Sequence, residues 1–162
     1  MKRVEEPFTY LSYPDAGELP ERDLALLDEA RKATRLAYAP YSRFQVGAAL
    51  ALASGDVVTG ANQENASFPV GLCAERVALA AAAVRFPGVA VVALAVSYDT
   101  GDDTSDRPIS PCGICRQSLA EWEQRFGSPI RMILGGLTGS VQVIESVSML
   151  LPLSFSREDL PG

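Results

Sequence analysis

Three cysteines and one glutamate are the residues of this chain whose types and spacing point to chemistry. Cys112-Gly113-Ile114-Cys115 puts two sulfurs within one helical turn, and Cys73 is the third thiol of the 162 residues. An odd cysteine count in a chain read as unsecreted argues against a disulfide framework and for metal or redox chemistry. Histidine is absent, which removes Cys/His dyads, Ser-His-Asp triads and every histidine-containing metal site. If the three sulfurs meet, they form a three-ligand zinc site with its fourth tetrahedral position open, the arrangement of catalytic zinc. Glu75 stands two residues after Cys73. A carboxylate there is a favourable charge in a first helical turn, and beside a metal-activated water it is also a general base. On spacing alone a redox Cys-x2-Cys pair plus one buried cysteine stays open beside catalytic zinc.

The elements that must carry these residues follow from pattern and punctuation. Pro20 to Tyr38 reads as a helix with a stripe of Leu24, Leu27, Ala30 or Lys32, Thr34 and Leu36, stopped by Pro40. Phe44 to Leu52 and Val57 to Ala61 read as a hairpin around Ser54-Gly55-Asp56. Ala74 to Arg85 is an alanine-rich helix ending before Phe86-Pro87-Gly88, and Val89 to Ser97 is a buried strand. Tyr98 to Pro108 is loop-like, Cys112 to Phe126 is helical, and Ile130 to Leu134 and Val141 to Ser146 are strands. That order predicts an α/β sandwich built on a mixed five-stranded sheet, one domain over residues 1–162, with 1–19 an arm of unfixed structure.

Cys73 and Pro111-Cys112 both fall where helices should begin, and helix N-termini favour thiolate over thiol. Three thiolates on a divalent ion sum to a net negative charge. Arg76, three residues after Cys73, is placed to hydrogen-bond the sulfurs and offset it.

A net charge of -6, from 14 basic and 20 acidic residues, opposes the counterion release that polynucleotide ligands reward. Val89 to Val96, the longest apolar run, is too short to span a bilayer. The reading is a soluble, cytoplasmic protein without a nucleic-acid polymer or membrane as partner.

Cys73-Ala74-Glu75 followed by Pro111-Cys112-Gly113-Ile114-Cys115 has the form C-x-E…P-C-x-x-C, and here the chain resembles the cytidine deaminase superfamily. The likeness extends to 38–50, to Asn62-Gln63-Glu64-Asn65-Ala66-Ser67, to 109–117 and to 150–155, and so covers nearly the whole chain. It implies a three-layer α/β sandwich with helices on both faces of the sheet. It also implies one zinc ion per subunit on Cys73, Cys112 and Cys115, with Glu75 as proton carrier. By the same resemblance Asn62 and Glu64 would bind the sugar 3'-hydroxyl, Phe44 would pack on the nucleoside and the Ala74 backbone would contact the base. Phe155 would reach a neighbouring subunit's site in a homotetramer. The implied activity is hydrolytic deamination of free cytidine and deoxycytidine in pyrimidine salvage; the alternative is a relative acting on N4-modified or non-standard pyrimidine nucleosides. Taken singly, Asn62 and Glu64 read as turn residues, and Phe44 and Phe155 as core; the ordered run of matching segments favours the binding roles. Departures from the family pattern are Met1 to Tyr13, the long polar stretch Asp99 to Arg107, and Phe68 where relatives often carry tyrosine.

Overall fold

A computed structural model describes residues 1–161; the sequence also reads Ser156 to Gly162 as an arm of unfixed structure, and Gly162 lies outside the described residues. The elements run β1 (Leu11–Tyr13), α1 (Glu21–Ala33), β2 (Gln45–Leu52), β3 (Val57–Ala61), α2 (Ala74–Arg85), β4 (Val91–Asp99), α3 (Gly113–Phe126), β5 (Arg131–Gly135) and β6 (Val141–Ile144). They form one mixed sheet in the order β1-β6-β5-β4-β2-β3. Only β4 and β5 run parallel, joined by α3; every other pair is antiparallel.

The sheet has six strands where five are expected. The sixth is β1, drawn from the arm, whose Leu11 to Tyr13 pair with Val143 to Val141. Three residues carry no period of their own; the open edge of β6 makes them a strand, and their pairing blunts that edge. The first helix is also shorter than its pattern suggests, passing into a 3-10 turn at Thr34–Leu36. The tighter winding turns Leu36 outward, 67% exposed. Of the expected stripe Leu27, Ala30 and Thr34 are buried, joined by Asp23, Leu26 and Ala33, with Asp23 ion-paired to Arg131 at 2.9 Å. At the other end of the sheet β4 runs on through Tyr98 and Asp99, because Val46 and Gln45 continue to pair with them.

Alternation along the strands sorts the core into two layers. Ala48, Leu50, Leu94, Val96, Met132 and Leu134 face α2 and α3, while Ala49, Ala95 and Ile133 face α1. Small residues on the α1 side let that helix sit close. At Gly47 a Cβ would stand 2.1 Å from the Ala30 carbonyl oxygen and 2.6 Å from the Thr34 nitrogen. Both are backbone atoms of a packed helix and cannot swing aside. Gly47→Ala is therefore expected to cost about 3 kcal/mol or more, read as a lower urea midpoint; an unchanged midpoint would show that α1 is not seated this way. Gly60 does the same for α2, with a Cβ placed 2.5 Å from the Ala78 nitrogen, so the seat of the helix that begins at Cys73 is set by a glycine.

One buried carboxylate ties the far end together. Glu123 accepts hydrogen bonds from the backbone N–H groups of Ile130, Val147 and Ser148 and from the hydroxyls of Ser146 and Ser148. It thereby joins α3 to the start of β5 and to the 3-10 turn at Val147–Leu150, and its burial is offset by those five donors.

Candidate active site

The N-termini of α2 and α3 meet at one end of the sheet. Cys73 is the N-cap of α2 and Cys112 the N-cap of α3, and neither side chain makes a capping hydrogen bond. Cys115 follows in the first turn of α3, fully buried, while Cys112 is exposed. The Cys73 and Cys112 sulfurs are 3.7 Å apart and those of Cys112 and Cys115 3.6 Å; all three lie within 4.8 Å of one another. A tetrahedral zinc ion with Zn–S bonds of about 2.3 Å holds its sulfurs about 3.8 Å apart. The donor set and its spacing fit zinc, so the two cysteine segments form one site.

Proton sharing within the cluster points the same way. The Cys73 thiol is lowered from 9.0 to about 6, first by the hydrogen bond from Cys115, with Cys112 and the Arg76 charge adding to it and burial opposing. Cys115 moves the opposite way, as partner in the shared proton and by burial. A thiolate prepared at Cys73 is what a metal replaces a proton to bind. Among the described residues Arg76 makes no hydrogen bond to a sulfur. Its effect on Cys73 is through charge, and the direct contact expected from its spacing is absent.

Glu75, in the first turn of α2, is 4% exposed. Burial raises its carboxyl above the ordinary 4.5, with the backbone and the Cys115 thiol pulling partly back. A carboxyl beside the sulfurs with its pKa moved upward suits proton transfer near neutrality.

Glu75, Cys73 and Cys112 line a cleft of about 470 Å³ together with Phe44, Val46, Asn62, Glu64, Phe68, Ala74, Val96 and Ile109, a size suited to a small ligand. Phe44 stacks on the buried Tyr98, ring centroids 5.1 Å apart and 21° between planes. Asn62 clamps the entry to β2: its Oδ1 accepts from the Val46 N–H at 2.8 Å and its Nδ2 donates to the Phe44 carbonyl at 2.9 Å. The Glu64 carboxylate accepts from Ser42 and Tyr41. Those bonds, the Ser42 hydroxyl first, hold it below 4.5; they persist above its lowered value and are lost as pH falls through it. No lysine or arginine lines the cleft among the described residues, so its fixed charges are carboxylates.

The structure thus gathers Cys73, Cys112, Glu75, Phe44, Asn62, Glu64 and Ala74 around one space, with Cys115 buried behind it against the other two sulfurs. Phe155 stays apart, 59% exposed and outside the cleft wall, its carbonyl held by Gln117 at 2.9 Å. Arg116 links the metal loop to the tail, donating to the Pro111 carbonyl at 2.9 Å and the Leu150 carbonyl at 3.0 Å. Sequence reading assigned no role to Ser42, Tyr98 or Val96, because nothing local marks them as neighbours of the site.

Residues 20–126 match the family described as the cytidine and deoxycytidylate deaminase zinc-binding region. The chain is 47% identical over 135 residues to a cytidine deaminase of Halalkalibacterium halodurans, covering 83% of this chain and 95% of that protein. It is 41% identical over 136 residues to a cytidine deaminase of Sporosarcina psychrophila, covering 83% and 92%. The crystal structure of cytidine deaminase from Burkholderia pseudomallei superposes with a TM-score of 0.70 at 38% identity, over 85% of this chain and 100% of that one.

Proposed function

The chain belongs to the cytidine and deoxycytidylate deaminase family, and on that basis we propose that it hydrolyses free cytidine and deoxycytidine to uridine and deoxyuridine, releasing ammonia. The observation that carries the reading is the meeting of three sulfurs, two of which, Cys73 and Cys112, line a nucleoside-sized cleft together with the buried carboxylate of Glu75. Cys73, Cys112 and Cys115 would hold zinc, which when bound would supply Lewis acidity that makes water easier to deprotonate near neutral pH.

Glu75 does the proton work. Ionised, it accepts a proton from the attacking water and delivers it to N3 of the pyrimidine as C4 becomes tetrahedral. A second transfer through the same carboxyl lets the amino group leave as ammonia. Its burial at the first turn of α2 fixes the carboxyl beside the reacting atoms. Arg76 lends positive charge to the thiolates from the same turn. Phe44, backed by Tyr98, packs on the nucleoside, the Ala74 backbone contacts the base, and Asn62 and Glu64 take the sugar 3'-hydroxyl. Asn62 keeps one N–H and one lone pair for this after clamping β2.

Charge favours a nucleoside over a nucleotide. A 5'-phosphate entering a cleft whose ionisable lining is Glu64, Glu75, Cys73 and Cys112, with no arginine or lysine among the described residues, finds no cationic clamp. The kcat/KM for deoxycytidine is expected to exceed that for deoxycytidylate by about 100-fold or more, roughly 3 kcal/mol of discrimination. Equal kcat/KM for the two would show that the cleft does not discriminate against the 5'-phosphate, and a higher value for deoxycytidylate would reassign the substrate to nucleotides.

The working form is a homotetramer acting in the cytoplasm, in pyrimidine salvage. Exposed apolar side chains support the assembly, Tyr41, Phe68, Val70 and Leu72 among them, as does Phe155, exposed and outside the lining of this chain's own cleft. Unpaired thiols support a reducing compartment.

A further inference from the structure

The chain between α1 and β2 folds into a holder for one carboxylate. Oε2 of Glu64 accepts the N–H groups of Tyr41 at 2.9 Å and Ser42 at 3.3 Å. Oε1 accepts the Ser42 hydroxyl. That same hydroxyl oxygen accepts the Phe44 N–H at 3.0 Å, so donors and acceptors run one way, from Phe44 through Ser42 to Glu64. Arg43, between the two, has φ of 59°, a left-handed conformation that a non-glycine residue adopts at a cost. Its N–H closes the turn on the Ala39 carbonyl at 3.0 Å. The backbone is bent there so that the Ser42 side chain and the Phe44 amide meet.

A carboxylate offers about four lone-pair directions. Three are taken, two on Oε2 and one on Oε1, which leaves one on Oε1. The Ser42 hydroxyl is the only side-chain donor to Glu64 among the described residues, and without it Oε1 is free to turn while the two backbone bonds still hold Oε2.

We infer that Ser42 is a positioning residue for the substrate sugar: its hydroxyl sets the remaining lone pair of Glu64 toward the cleft and couples it to the Phe44 wall. This rests on Glu64 being the sugar-binding carboxylate. Ser42 itself touches neither the metal site nor the base.

The test compares kcat and KM for cytidine and 3'-deoxycytidine in the wild type, Ser42→Ala, Ser42→Thr and Glu64→Gln, each in the zinc-loaded full chain. Ser42→Ala is expected to lower kcat/KM for cytidine about tenfold, mostly through KM, and to leave 3'-deoxycytidine within about twofold. Ser42→Thr, which keeps the hydroxyl, restores the preference for cytidine. An equal loss on both substrates, or no loss, overturns the inference. Glu64→Gln separates the two levels. If it loses the preference for the 3'-hydroxyl while Ser42→Ala keeps it, the Ser42 role alone fails. If Glu64→Gln also keeps the preference, the assignment of Glu64 fails with it.

Discussion

Glu75→Gln lowers kcat for cytidine by about 1,000-fold, the scale of a positioned general acid and base, while zinc content and thermal stability stay at wild-type levels. Glutamine matches glutamate in volume, so the packed first turn of α2, where Glu75 is 4% exposed, is not opened. What it removes is the capacity to carry a proton. Because that capacity is used as the transition state forms, kcat and kcat/KM fall together and KM moves little. Steady-state kinetics on zinc-quantified protein decides the matter. Turnover within tenfold of the wild type takes the proton work away from Glu75, and a loss that tracks lost zinc makes it a support for the metal instead.

Cys115→Ala abolishes zinc retention and with it activity, to below about 1% of the wild type. Of the three sulfurs this is the fully buried one, held in the first turn of α3, so its removal leaves two donors where a stable tetrahedral site needs three from the protein. The helix itself remains, anchored by Leu119 in the core and by Glu123 at the other end. A second readout keeps metal loss distinct from misfolding. A ligand bound only by the native state stabilises it. Chelation therefore lowers Tm of the wild type and leaves that of Cys115→Ala unmoved. Wild-type zinc content in the variant would break up the three-sulfur site.

Much of this site is local in origin, which is why it is legible in the sequence. Pro111 before Cys112, and the breaker Phe86-Pro87-Gly88 after an alanine-rich run, fix where α2 and α3 start and stop, and the observed helix at Ala74–Arg85 matches the expected one. With both helix starts known, Cys73 and Cys112 fall at N-caps and Glu75 in a first turn. The hairpin of β2 and β3 is equally local, set by Ser54-Gly55-Asp56.

What the sequence hides is long-range. The β1 strand exists because β6 offers an edge, and no feature of Leu-Ser-Tyr announces that. Asp23 looks like a surface charge at the start of a helix until Arg131, 108 residues on, reaches it. Gly47 and Gly60 read as ordinary strand residues, and only the approach of α1 and α2 shows why a Cβ has no room. Ser42 meets Glu64 across 22 residues, and Tyr98, placed in a loop by composition, supports Phe44 from the end of β4. Arg76 is the opposite case, where spacing suggests a direct bond to sulfur and no such bond forms among the described residues, its charge only adding to the lowering of Cys73.

Ammonia release from cytidine, followed while zinc is titrated back into chelated protein, shows whether the three sulfurs hold a catalytic metal. The metal-free chain is expected to show no turnover, and activity then to rise in proportion to zinc until the sites of Cys73, Cys112 and Cys115 are filled. Undiminished ammonia release from the metal-free protein, or full zinc loading with no release from cytidine or deoxycytidine, would contradict that expectation.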